Sequence, residues 1–600
     1  MPLPNGDSPK EEFAFRQFGG MYRRGPRTAM PTSKWWYASN LQPISDGNFR
    51  TASAATLIAS LTGPSNTVFA TQAWSGVVNN VPYLFIQTGQ GLYALNLNSN
   101  TMTIISASNL VVSDAAEWNN TNMLFVGPTG YFSWNGSGTV TQITPSQYQT
   151  LTLGGTATNF NPGDSVTNSQ SNPTTGTVIS FNTTTRQLAV GNVAGPGFVV
   201  GQTLTDSTTT ASGVINAVDV PGVPANGQAI AVYAGRVWIA QGRAITFSGP
   251  NDYSAASWSV ALGSGTVLIA DETLTGNLVR LIPSAGYLYV IGPSSVDVIS
   301  NVYVPAGATP PTPLFNRQNI SSTVGTPYPM AAFGFDRNIG IVNQYGIYVV
   351  SGVQTQRISQ EIDDIITSLE WNAPLAQVSC SVAVSNEIPV LNFLVSWHDP
   401  DAPTTLRQTI LCWSDGKWWL YDPFGLSGIS AGVIAAIAPA FQGNTLRTYI
   451  IANTASGSNS VMSVYVAYDG TSTALVPVVL KSALTDFGSS IWTKQALKLG
   501  IEGNVQDANS LVTATCDNEI VAGIPQTYLP KVFKWINGSG LPFTWYNAAG
   551  QLFTWVVGGY AYAMKDVQTY GRYLGLSLSG TMRNSTLTGM YLEFQRRARW

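Results

Sequence analysis

The sequence predicts an all-β chain: a β-propeller of six blades, with seven admitted, carrying an inserted small β domain and a C-terminal β-sandwich-like domain. Three observations predict it. An apolar run, a short Gly/Asn-type turn and an aromatic-rich alternating run recur along the chain, the pattern of a β-hairpin. The recurrences are spaced like four-stranded propeller blades. One stretch breaks that spacing and carries a repeat of its own.

The hairpins follow in order. They are YLFIQTGQGLYALN (Tyr83–Asn96), MLFVGPTGYFSWN (Met123–Asn135), RVWIAQGRAITFSG (Arg236–Gly249), YLYVIGPSSVDVIS (Tyr287–Ser300) and IGIVNQYGIYVVSG (Ile339–Gly352). A longer one runs from Val390–Trp397 to Ile410–Asp422. Leu84 to Leu124 is 40 residues, and the later steps, Val237 to Leu288 to Ile341 to Leu394, are 51, 53 and 53. The step from Leu124 to Val237 is 113 and falls to 38 when the 75 residues 151–225 are removed. A seventh candidate, Arg447–Gly470, reads either as a blade or as strands closing the ring against residues near Thr51–Leu61.

The inserted stretch repeats itself. Phe160 aligns with Phe198 and Gly163 with Gly201, both 38 apart, and Gly176 aligns with Gly213, 37 apart. Val178-Ile179 and Val214-Ile215 recur at equivalent places, which favours a folded β domain over a low-complexity linker. Further on, Ile362, Ile365 and Ile366 stand at i, i+3 and i+4 within Ile358–Leu369, a short amphipathic helix. After about residue 475, strand-like runs such as LKLGIEG, SLVTATCDN, KVFKWING and YLGLSLSGTM predict a separate β domain. The expected organisation is an arm at 1–50, first blades at 51–150, the insertion at 151–225, the remaining blades at 226–474 and a C-terminal platform at 475–600.

Charge is scarce. Lys, Arg, Asp and Glu make up 10% of the 600 residues, against about 25% in an ordinary domain. Residues 51–200 hold one basic side chain, Arg186, while basic residues gather at the two ends: Arg23, Arg24 and Arg27, and Arg596, Arg597 and Arg599. The ends are therefore expected to touch neighbours in an assembly, with low-charge flanks hidden between subunits. DNA affinity comes mainly from Lys and Arg neutralising phosphates, so this chain does not read as a tight nucleic-acid binder. Three cysteines and one histidine exclude a disulfide framework and a His-rich metal site. The start has no apolar core segment, and the longest apolar run, near Val433–Phe441, contains Pro439 and is too short to span a bilayer. The expectation is a protein made in the cytoplasm with no membrane span.

Candidate chemistry is thin. His398 with Asp399 and Asp401 suggests a metal cluster, but the three lie within four residues of a turn-forming stretch and no further ligand is recognisable. Asp363 and Asp364 are adjacent on the helix, so they do not share a substrate face and read as its wet side. Trp413, Trp418 and Trp419 form the best candidate sugar groove, against the commoner role of blade aromatics as packing. No phosphate loop, dinucleotide fingerprint or HExxH occurs. No catalytic residue, cofactor or metal site is expected.

The stretch AVYAGRVWIAQGRAITFSGPNDYSAASW (Ala231–Trp258) resembles the signature blade of tail nozzle proteins of short-tailed bacteriophages, also called tail tubular protein B or packaged-DNA stabilisation protein. The matching residues are Gly235, Arg236, Val237, Trp238, Ser248, Gly249, Pro250, Asn251, Asp252 and Trp258. Asn40–Thr51, Ser482–Gly503 and LCWSDGKWWLYD resemble further elements of that family, whereas residues 151–225 depart from it and do not map onto its core. The resemblance implies a structural protein of the virion tail. Six copies would form a ring below the portal and adaptor, retain the packaged double-stranded DNA and conduct it during ejection. Partners would be further copies, head-to-tail connector proteins and tail fibres or a tail needle. The alternative that composition leaves open is a carbohydrate-binding or carbohydrate-cleaving propeller acting in host-surface recognition.

Overall fold

A computed structural model describes residues 9–599 except 46, 65–66, 107–109, 156–159, 271–274, 309, 372–377, 399–405, 423–431, 457–458, 506, 508, 520–523, 529–544, 547–551 and 554–562. The chain is all-β and of propeller type. Among the described residues its strands form six separate four-stranded sheets, a two-stranded one, a closed barrel and two larger sheets, one of six strands and one of nine. Contacts divide the chain into two units: residues 71–343 with 348–356, and residues 1–70, 344–347 and 357–600.

The first unit holds sheets 1 to 5. Sheet 1 runs Ala70–Val78, Val81–Thr88, Gly91–Asn96 and Thr101–Ile104, and sheet 2 Asp114–Trp118, Asn122–Gly127, Gly130–Trp134 and Thr141–Ile143. Sheet 3 runs Ala229–Tyr233, Arg236–Gln241, Ala244–Phe247 and Gly265–Leu268, and sheet 4 Arg280–Ser284, Tyr287–Ile291, Val296–Tyr303 and Leu314–Ser321. Sheet 5 runs Ala332–Phe335, Asn338–Asn343, Gly346–Ser351 and Gln354–Arg357. The predicted hairpins are the second and third strands of these sheets. The first strand enters each hairpin through a tight turn with two residues at positive φ, such as Asn79-Asn80, Asn119-Asn120, Ala234-Gly235 and Ala285-Gly286. That geometry matches the right-handed twist of the flanking strands and favours Asn and Gly.

Each sheet buries both faces, so neighbours share cores. Trp74, Phe85, Phe125 and Trp134 pack between sheets 1 and 2, and Tyr131, Val237 and Trp258 between sheets 2 and 3. Trp238, Phe247 and Leu288 join sheets 3 and 4, and Tyr289, Ile291 and Ile341 join sheets 4 and 5. Burying apolar area on this scale stabilises by about 25 cal/mol per Å².

The insertion is a closed six-stranded barrel from Tyr148 to Asp219. Its bounds therefore start three residues before the expected 151 and end short of 225. The internal repeat is visible in the pairing. Val166 stands opposite Gly176, and Leu204 opposite Gly213. Gly163 N donates to Val178 O as Gly201 N donates to Ile215 O. Phe160, Phe198, Val178 and Ile215 all fill the barrel core.

The second unit holds sheets 6 and 7 and two larger sheets. Sheet 7 consists of Gly432–Gln442, Thr445–Ser456, Asn459–Val466 and, paired antiparallel to the last, Thr56–Pro64. So the Arg447–Gly470 stretch is both a further sheet and the partner of a strand from near the N-terminus. With sheet 6 (Ser379–Ser385, Ile388–His398, Leu406–Ser414, Lys417–Tyr421), the four-stranded meanders among the described residues number seven, where six was the favoured count. The seventh escaped the hairpin spacing because its closing strand is donated from almost 400 residues away.

Sheet 6 continues through Trp35–Ser39, Val476–Ser482, Leu574–Met582, Leu511–Asn518 and Gln526–Tyr528 into the nine-stranded sheet. The six-stranded sheet contains Glu11–Phe15, Leu41–Ser45, Asn48–Thr51, Trp492–Val505, Ala563–Gly571 and Ser585–Arg599. The two pack as a sandwich, bridged by Tyr528 Oη donating to Leu499 O (2.6 Å) and Thr569 Oγ1 donating to Cys516 O (3.2 Å). Residues 11–51 are therefore not an arm. Their strands pair with C-terminal ones, because an edge strand left unpaired exposes a row of backbone donors and acceptors. The run KVFKWING lies outside the described residues. Among the described residues no helix is long and apolar enough to cross a membrane.

Candidate functional site: the Arg236 sheet and the tied ends

Arg236 opens the second strand of sheet 3 and is 1% exposed. Its Nη1 donates to Ser248 O (2.6 Å) and Gly263 O (2.8 Å), and its Nη2 to Pro311 O (2.9 Å). No carboxylate is among these partners. Burial holds the guanidinium below its usual pKa. One side chain thus fixes the end of the third strand, the loop before the fourth, and the extended hairpin of sheet 4. The remaining matched residues serve the same corner. Val237 N donates to Ser248 Oγ (3.0 Å), whose hydroxyl donates to Gly249 O. Gly235 holds φ +68, and a Cβ there would stand 2.7 Å from Asn251 Oδ1. Asp252 accepts from Ser254 N (2.8 Å) and Ser254 Oγ (2.7 Å), starting the 3₁₀ turn that carries Trp258. Trp258 is buried edge-on to Tyr131, with centroids 5.6 Å apart. Trp238 donates to Tyr233 O (3.0 Å) and packs on Phe247. Of the set, Pro250 and Asn251 are exposed. The signature is a framework, with its polar atoms turned inward.

The basic ends behave in the same way. Arg23 is buried, donates Nε to Asp364 Oδ2 (2.7 Å) and lies 4.2 Å from the Trp36 ring centre. Arg27 binds Ser482 O (2.7 Å) and Asp517 (3.0 Å). Arg596 pairs with Glu11 (2.8 Å), and Arg597 donates to Gln495 Oε1 (2.7 Å). Arg24 is exposed, and the Arg599 side chain lies outside the described residues. Arg23, Arg27 and Arg596 are therefore internal ties between distant segments rather than free contact groups. The sequence names the residue type but not the partner, 341 residues away for Arg23.

The other candidates dissolve on inspection of their surroundings. Asp363 and Asp364 do point apart, but each holds an arginine, Arg357 and Arg23, rather than forming a wet face. His398 Nε2 lies 3.6 Å from Glu370, and Asp399 and Asp401 lie outside the described residues. Trp418 and Trp419 are buried packing residues, so they present no ring face to a sugar. All three cysteines are buried free thiols, and burial raises Cys412 and Cys516 well above the usual thiol range. Among the described residues no three His, Cys, Asp or Glu gather to hold a metal ion.

Sequence reasoning missed two features. Asp114 is fully buried and ties three sheets. It accepts from Ile230 N (3.1 Å) and faces Arg280 at 3.8 Å, and burial raises its pKa. Nearby, the segments entering sheets 1 to 5 line a cavity of about 460 Å³, with Gln72, Ser113, Gln228, Asn277, Pro293 and Pro329 in its wall and no acid or base among its lining residues.

No protein family profile and no curated protein sequence matches the chain. Solved structures do. The structure of U3-55K covers 69% of this chain and 98% of its own at 8% identity and TM-score 0.34. The WD40 repeats of RRP9 cover 69% and 99% at 8% identity and TM-score 0.32. A Trypanosoma rangeli sialidase covers 97% and 95% at 8% identity and TM-score 0.25.

Proposed function

We propose that the chain is a structural subunit of the tail nozzle of a short-tailed bacteriophage. Six copies form a ring below the portal and adaptor, close the channel on the packaged genome and conduct the DNA during ejection. The observation that carries this reading is sheet 3, where the residues resembling the nozzle signature form one interlocked corner around Arg236. The spending of charge supports it. Arg23, Arg27, Arg236, Arg596 and Asp114 hold segments of the chain to one another rather than lining a cleft. With basic groups used internally, the walls grip phosphate weakly, as a conduit for DNA requires. Other partners are connector proteins and tail fibres or a needle, and the protein resides in the virion tail. Negative-stain images of the purified protein are expected to show sixfold rings with a central hole, and antibody labelling to mark the tail of virions. A chain that stays monomeric and is absent from virions would overturn the reading.

A further inference from the structure

The segments that lead into the first strands of sheets 1 to 5 meet at the cavity of about 460 Å³. That volume lies within the usual range of small-molecule pockets. Its described lining residues include no acid or base. Each sheet brings an uncharged group: Gln72 from sheet 1, Ser113 from sheet 2, Gln228 from sheet 3, Asn277 from sheet 4 and Pro329 from sheet 5. The recurrence follows from the repeat, because equivalent sheets bring equivalent entry positions to one place. Ser113 and Gln228 each stand one residue before their first strand.

Hydrogen bonds hold the wall in place. Gln87 is 6% exposed, donates Nε2 to Thr88 O (3.0 Å) and Leu110 O (3.1 Å), and accepts from Val112 N (3.2 Å). It thereby fixes the backbone that carries Ser113. Gly242 N donates to Gln228 Oε1 (2.7 Å), and Leu278 N donates to Gly242 O (2.8 Å), so one glycine ties the Gln228 and Asn277 segments together. Arg280 Nη1 donates to Pro329 O (2.9 Å), while its Nη2 lies 3.8 Å from Asp114, so that charge already has its acid. By contrast, the side chains of Gln72, Ser113 and Asn277 make no hydrogen bond among the described residues. Donors and acceptors thus stand unused on a fixed frame, as a binding site requires.

We propose that this cavity binds a neutral hexose unit, free or at the end of a glycan. A carboxamide offers a donor and an acceptor side by side, and two neighbouring sugar hydroxyls offer the complement. The rings of Pro293, Pro327 and Pro329 supply an apolar wall for the C–H face of the sugar. No charged side chain in the lining can pair with a carboxylate or phosphate, and a charge left unpaired in a cavity is costly, so ionic ligands are disfavoured. An extended peptide rises about 3.3 Å per residue and needs a long trough instead. A ligand of so few atoms binds weakly, with a dissociation constant of roughly 1 mM. The site neither needs nor excludes a nozzle role.

The test uses the full chain at neutral pH. Saturation-transfer NMR and calorimetric titration with D-glucose, D-galactose, D-mannose and N-acetyl-D-glucosamine are expected to show one of them bound at one site per chain. Gln72→Ala and Asn277→Ala should each weaken that binding by about tenfold. Both should keep the parental thermal midpoint, since neither side chain holds another part of the chain. N-acetylneuraminic acid should bind about tenfold more weakly than the best neutral sugar, because its carboxylate meets no cation. Absence of binding by every neutral sugar overturns the site, as does binding that both variants retain. Tighter binding of N-acetylneuraminic acid overturns its neutral character. Binding of the uncharged peptide N-acetyl-Gly-Ser-Gly-Ser amide, with none of the sugars, overturns it in favour of a peptide site.

Discussion

Arg23 and Arg236 are both fully buried, and they are held in opposite ways. Arg23 faces an acid, Asp364, and the ring of Trp36. Asp364 keeps 26% of its side chain exposed, so its charge has water to return to. Arg236 faces three backbone carbonyls and no acid, and its own pKa falls through burial. The first is an ion pair that happens to be buried on one side. The second is a cation used as a rigid multi-donor staple, whose worth lies in satisfying three backbone carbonyls at once. The difference shows that in a charge-poor chain a guanidinium is placed for its donors at least as much as for its charge.

The comparison breaks first by substitution. Arg236→Met should lower unfolding free energy by about 3–5 kcal/mol, since it orphans buried carbonyls. No second side-chain change can rescue it, because the acceptors belong to the backbone. Arg23→Met should cost less, about 2–3 kcal/mol, and adding Asp364→Leu should recover most of the loss by removing the unpaired charge. Denaturant midpoints and slopes of the four proteins measure both. An Arg236→Met variant within 1 kcal/mol of the parent would sink the staple, and an Arg23 loss that the double variant does not recover would sink the ion-pair account. A smaller effect sharpens the same corner: Gly235→Ala should cost about 1–2 kcal/mol, because φ +68 is unfavourable for a residue with a Cβ. Unchanged unfolding would show that the turn relaxes freely.

The smallest effect separates charge from donors elsewhere. Burial pushes Glu519 up, but hydrogen bonds from Arg572 N (3.0 Å) and Tyr573 N (3.1 Å) outweigh it and hold the carboxyl below its ordinary range. A depressed folded pKa stabilises above the unfolded value and loses that contribution as pH falls through the folded one. Glu519→Gln should therefore flatten a stability loss of under about 1 kcal/mol below pH 4.3, with little change at higher pH. An unaltered acid limb in the Gln variant would discard this assignment.

Much of this fold is legible in local sequence. The hairpins from Tyr83–Asn96 to Ile339–Gly352 announce themselves because period-two apolar patterning and a turn residue sit within a dozen positions. The two halves of the barrel are legible because Phe160 and Phe198, or Gly163 and Gly201, recur at a fixed spacing and meet equivalent partners. Trp418 and Trp419 read as packing and are packing. The first strands were less visible, although Asn-Asn and Ala-Gly pairs mark their turns. The candidate site was legible only as a string of matched residues. Nothing in GRVW tells that Arg236 reaches Pro311, 75 positions on.

The scarcity of charge was plain in the composition, and so was its concentration at the ends. By itself the sequence determined that the chain is built from β-hairpins, because alternation and turn propensity act over a few residues. Tertiary structure decided the rest. It set Thr56–Pro64 as the last strand of sheet 7, wove residues 11–51 into the C-terminal sheets, and turned Arg23, Arg27 and Arg596 inward. Each of those choices depends on a partner hundreds of residues away. Such a partner is selected by which edges and buried polar groups remain unsatisfied once the local elements have packed.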